Sequence, residues 1–154
     1  MTTIVANLEE MASDQRCTSG GPICHVSKMR RIGTGIYGFA GDTILALHVL
    51  KWLEGKRDPL QLYKLIPESL RDSIEVLELS RDGLAIWNGW GIRLQLLDAT
   101  YALGSGAMPA LQALRMNCTP AEAVLQAAKL DECSGLISEP QVEKLNPEPK
   151  RKRR

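Results

Sequence analysis

Thr2 places a hydroxyl near the start of the chain, in "MTTIVAN". A hydroxyl is a poor nucleophile until a base takes its proton. If Met1 is removed, the base is already attached: the α-amine of Thr2, which titrates near neutral pH. Met1 precedes a small residue, the kind of start that methionine aminopeptidase trims. Two further residues fit that chemistry. Asp14 in "MASDQR" sits where a return strand would bring it back beside the terminus. Lys28 in "VSKMRRI" lies on the next strand, and its charge near an amine would disfavour protonation of that amine. Asp14 can hold such a lysine by a charge-assisted hydrogen bond. Taken singly, each has a plainer reading: a common Met-Thr start, and two surface charges.

"IGTGIYGFAGD" (32–42) holds Gly33, Gly35 and Gly38 in the G-x-G-x-x-G spacing of dinucleotide sites. That motif opens a helix at its third glycine. Here Phe39 and Ala40 continue as strand, and the alternating βαβ pattern is missing. Nucleotide binding is therefore set aside. The Gly38 N–H is instead a candidate to face a developing oxyanion, the plainer reading being a packing glycine. Cys17 and Cys24-His25 lack a second ligand pair at zinc spacing, so no metal or other cofactor is expected.

The elements that must position these groups alternate in kind. Thr2–Asn7 reads as a strand and Met11–Ser13 as its return, with "TSGGP" (18–22) a loop. Strands are expected over Ile23–Ile32 and Gly35–Ala40. Asp42 caps a helix from Thr43 to about Leu53, apolar nearly all round and ended by Gly55. "DPLQLYKLIPESL" suggests a shorter helix and a loop. "SIEVLELS", Asp82-Gly83 and "LAIW" form a hairpin signal, which "IRLQLL" and "ATYAL" continue. Helices follow at Ala107–Met116 and Thr119–Leu130, the second with a Thr119–Glu122 capping box. A last strand lies near Gln141–Leu145. Trp87 and Trp90 read as core or turn residues, and neither His25 nor His48 is placed as a general base. Strands, helices, strands, helices fit an α+β fold, a four-layer αββα sandwich with two antiparallel sheets between helix layers.

The 154 residues suffice for one domain, 1–146, that buries roughly two-thirds of its unfolded surface. Residues 147–154 read as a disordered basic tail. KRKRR accounts for more than the whole net charge of +1, so the body is mildly acidic and gives no case for nucleic-acid binding. No stretch has the length and apolarity of a membrane span. The start lacks a secretory pattern, so a cytoplasmic location and reduced thiols at Cys17, Cys24, Cys118 and Cys133 are expected.

Several stretches, in order, resemble proteasome β-subunits of the HslV group and the small proteasome-like proteins of bacteria and phages. They are "TTIVA", "ASD" (12–14), "SKMRRI" (27–32), "GFAGDT" (38–43), "ALGSGA" (102–107), "TPAEAVLQAAKLD" (119–131) and "DECSG" (131–135). The resemblance implies an N-terminal nucleophile hydrolase fold and a threonine peptidase. Thr2 would be nucleophile, Asp14 and Lys28 the supporting pair, and Gly38 the oxyanion glycine. Ser105 would lie near the threonine amine, with Asp131 and Ser134 ordering the site. It also implies a homo-oligomeric double ring, peptide or unfolded-protein substrates, and an AAA+ unfoldase partner. An inactive scaffold subunit is the alternative. The chain departs from the family in its cut-down first hairpin, which brings Asp14 sooner after Thr2, and in a glycine-rich strand that follows Lys28 more closely.

Overall fold

The computed structural model describes residues 2–17, 22–55, 57–130 and 139–146. The expected tail 147–154 and most of the 18–22 loop lie outside these residues. Strand β1 (Thr3–Asn7) turns through Leu8 and Glu9 into β2 (Glu10–Ser13). The Asn7 carboxamide accepts from the Glu9 and Glu10 N–H groups, at 2.9 and 2.8 Å, and fixes that turn. A two-stranded ribbon follows, β3 (Arg16–Cys17) and β4 (Cys24–His25), and then β5 (Met29–Ile32) and β6 (Gly35–Gly41).

Helix α1 (Thr43–Glu54) starts where Asp42 accepts from the Ile44 and Leu45 N–H groups at 2.9 and 3.0 Å. Such a cap is worth about 1 kcal/mol. Asp58 caps α2 (Pro59–Leu65) in the same way, with Pro59 at the first helical position. A 3-10 turn (Glu68–Ser73) leads into the hairpin β7 (Ile74–Ser80) and β8 (Gly83–Asn88), then β9 (Arg93–Gln95) and β10 (Thr100–Gly104). Helices α3 (Ala107–Arg115) and α4 (Pro120–Leu130) precede β11 (Gln141–Lys144).

The two larger sheets are antiparallel, ordered β10-β1-β2-β11 and β5-β6-β7-β8-β9. Side-chain alternation along the strands sorts the core. Val5 and Ala12 pack with Ala110, Ala123 and Val124 of α3 and α4. Ile4 and Met11 meet Ile36, Leu77 and Leu79, joining the two sheets. Tyr37, Phe39 and Val76 pack with Val49, Leu53 and Leu62 of α1 and α2. Trp87 is core there, edge-on to Trp52 at 5.8 Å between ring centres. Its Nε1 donates to Glu78, whose carboxylate is also gripped by the Arg93 Nε and Nη2 at 3.0 and 3.1 Å.

Three expectations change. Ile23–Ile32 is not one strand: it breaks at 26–28, where the chain leaves its pairing with β3 and takes up one with β6. The 3-10 turn stands where a plain loop was expected. "ATYAL" does not continue the hairpin sheet, because β10 pairs with β1. Within one chain, α1 buries Ala46, Val49, Leu50 and Leu53 and leaves Ile44 and Leu47 exposed, so its apolar surface is partly covered.

Candidate active site

Thr2 stands at the head of β1, held between two neighbours. β10 lies on one side, with Thr3 opposite Gly104; β2 lies on the other, with Ile4 opposite Ser13. A strand flanked on both sides is rigid, and Thr2 is buried with 8% of its surface exposed. Gly104 has φ +92°, and a side chain there would overlap the Thr2 carbonyl oxygen. Only glycine lets the two backbones approach this closely.

Asp14 grips the next residue from two directions. Its N–H donates to the Thr3 carbonyl at 3.2 Å, and its Oδ1 accepts from the Thr3 N–H at 2.8 Å. Oδ2 accepts from the Lys28 ammonium at 2.8 Å and from the Arg16 N–H at 3.2 Å. The Asp14 and Lys28 side chains are 0% and 4% exposed, so the ion pair is out of water. Lys28 comes from the segment just before β5, where its carbonyl accepts from the Phe39 N–H at 3.0 Å. The structure thus brings Thr2, Asp14 and Lys28 to one place, with Asp14 bridging the lysine to the residue after Thr2. Beside them the Ser13 hydroxyl is buried without a hydrogen-bond partner among the described residues.

No family model and no curated protein matches the sequence. Solved structures do. Eukaryotic HslV from Trypanosoma brucei matches with a TM-score of 0.69 at 23% identity, over 94% of this chain and 99% of that one. Thiobacillus denitrificans BPH matches at 0.65 and 19% identity, over 95% and 98%. The same BPH in complex with epoxomicin matches at 0.63 and 20%, over 95% and 99%. The chain has the HslV-type proteasome β-subunit fold. At these identities the likeness is one of fold.

Within that HslV-type fold the strand β6 carries Gly35, Gly38 and Gly41. Successive N–H groups of an antiparallel strand point to opposite sides. The Phe39 N–H faces β5, since it bonds Lys28, so the Gly38 N–H faces β7, opposite Leu77. A side chain at Gly38 would press on Ile4 and Met11, so this glycine sets the close approach of the two sheets. By the same alternation the Gly41 N–H points to the Lys28 side, beyond the last β5 pair. Gly41 has φ +105°, and a side chain there would overlap the Ser73 carbonyl. The sequence reading passed over Gly41. The signal was in "GFAGD", whose last glycine directly precedes the helix cap Asp42.

Ser105 follows Gly104 and is exposed. It opens a groove of about 510 Å³ lined by Met108, Leu111 and Leu130. Asp131 and Ser134 lie outside the described residues.

Proposed function

We propose that this chain is a threonine peptidase of the proteasome type, with Thr2 as nucleophile once Met1 is removed. The observation that carries the reading is the buried Asp14 carboxylate, which joins Lys28 to the residue next to Thr2. In the proposed mechanism the Thr2 hydroxyl attacks a peptide carbonyl, and the freed α-amine takes its proton through a water. The Lys28 charge keeps that amine from holding a proton, and Asp14 keeps Lys28 in place. We assign the oxyanion to the Gly41 N–H rather than that of Gly38, on the alternation argument above. The same amine then activates the water that releases the acyl group. Ser105, Asp131 and Ser134 keep the supporting roles that the family resemblance implies.

The fold we read as a four-layer αββα sandwich in a single domain. The three core groupings, one joining the sheets and one under each helix pair, support that reading. We further propose a homo-oligomeric double ring with its sites inside, peptide or unfolded-protein substrates, an AAA+ unfoldase partner and a cytoplasmic setting. The half-covered α1 surface supports the assembly.

The test is intact mass before and after a peptide α′,β′-epoxyketone. That reagent closes a ring with both a hydroxyl and a free α-amine, and a solved neighbour was captured with epoxomicin. The expected result is loss of Met1 and one adduct per chain, with adduct and peptide hydrolysis both absent in Thr2→Ala. Retained Met1 without adduct, or full activity in Thr2→Ala, overturns the reading and leaves an inactive scaffold.

A further inference from the structure

The ribbon β3–β4 forms the link between Asp14 and Lys28, and it carries two cysteines in register. Cys17 lies directly opposite Cys24, and Arg16 opposite His25. The Val26 N–H donates to the Gln15 carbonyl at 2.9 Å. That bond fixes the alternation, so Cys17 and Cys24 occupy a hydrogen-bonded site, with Cα atoms about 5.5 Å apart. The Cα spacing lies within the roughly 4.4–6.8 Å that a disulfide spans, and the Cβ atoms of such a hydrogen-bonded pair draw together as the bridge forms. The Cys24 sulfur lies 3.7 Å from the Cys17 carbonyl oxygen. Both thiols are free, Cys24 exposed and Cys17 half-buried. The Cys17 side chain beside it raises the Cys24 pKa.

We propose that Cys17 and Cys24 are a reversible dithiol site, oxidised by peroxides to a cross-strand disulfide that staples the ribbon between Asp14 and Lys28. One thiolate attacks the peroxide; an S–O bond forms as the O–O bond breaks, and water leaves. The other thiol attacks that sulfenic sulfur, the S–S bond forms, and a second water leaves. The pair gives up two electrons and two protons, and the peroxide becomes two waters. A bridge this exposed is open to attack by a reducing thiol and so reverts readily. Cys118 packs with the α3–α4 core group, which includes no residue of the ribbon. The inference does not rest on the catalytic role of Thr2.

The experiment treats the native full chain with a slight excess of hydrogen peroxide, alkylates remaining thiols, and maps peptides without reduction. The expected result is a mass lower by two hydrogens, two fewer alkylated thiols out of the four present, and a Cys17–Cys24 linked peptide. Dithiothreitol restores all labels. The link is absent in Cys17→Ser and in Cys24→Ser and present in Cys118→Ser. Stable sulfenate or sulfinate at Cys24 alone, a bridge to Cys118 or Cys133, or a cross-linked dimer overturns the proposal.

Discussion

Lys28 and Asp14 face each other at 2.8 Å with almost no water on either side chain. Each charge is tolerable there only because the other is present. Removing one partner of such a pair strands a buried charge, at about 3–5 kcal/mol. Lys28→Met is therefore expected to lower unfolding stability by about that amount. Adding Asp14→Asn should restore part of it, because no charge is then stranded. Urea unfolding of the two single variants and the double variant reads this out. A loss below about 1 kcal/mol in Lys28→Met would mean that the pair behaves like a solvated surface bridge.

Gly104 offers a sharper test of how tightly the head of β1 is held. Gly104→Ala must both adopt an unfavourable φ and push away the Thr2 carbonyl. Gly33 also has positive φ, at +58°, but open space around it. Gly33→Ala should cost only the conformational strain, about 1–2 kcal/mol. Gly104→Ala should cost clearly more in thermal unfolding and should also abolish epoxyketone labelling. Equal effects of the two substitutions would show that Thr2 has room to move.

Glu78 gives a pH signature. Burial opposes its ionisation, but the Arg93 and Trp87 hydrogen bonds outweigh burial and hold its pKa below the ordinary value. A carboxylate with a lowered folded pKa stabilises the fold above its unfolded pKa, about 4.3 for glutamate. That contribution fades as the pH falls through the folded value. Glu78→Gln is expected to lose stability at pH 7 while narrowing its gap to the parent chain near pH 3. Unfolding midpoints at the two pH values decide it; a gap that stays constant would assign the effect to shape rather than charge.

What could be read from residues alone tracked how local each feature is. The β7–β8 hairpin was legible because Asp82 sits in the turn itself and Gly83, at φ +104°, opens β8 directly after it. The α1 start was legible because Asp42 bonds amides two and three residues on. The sheet that β10 joins was not, since its partner strand begins at Thr3, far away in sequence. The types needed at Thr2, Asp14 and Lys28 were visible, but that Asp14 would clasp Thr3 by both backbone and side chain was not. Nor could the residues alone show which way the Gly38 amide faces, since that follows from the Phe39–Lys28 hydrogen bond across the ladder.

The pairing of Thr3 with Gly104 also sets an order of events during synthesis. The strand that follows Thr2 is made before β10 and gains its second flank only after the chain has grown past β10. Contacts between such distant residues form late. On a ribosome, then, a half-made chain already carries its threonine but lacks the wall that holds it. The chemistry proposed for Thr2 would then have to wait until most of the protein exists.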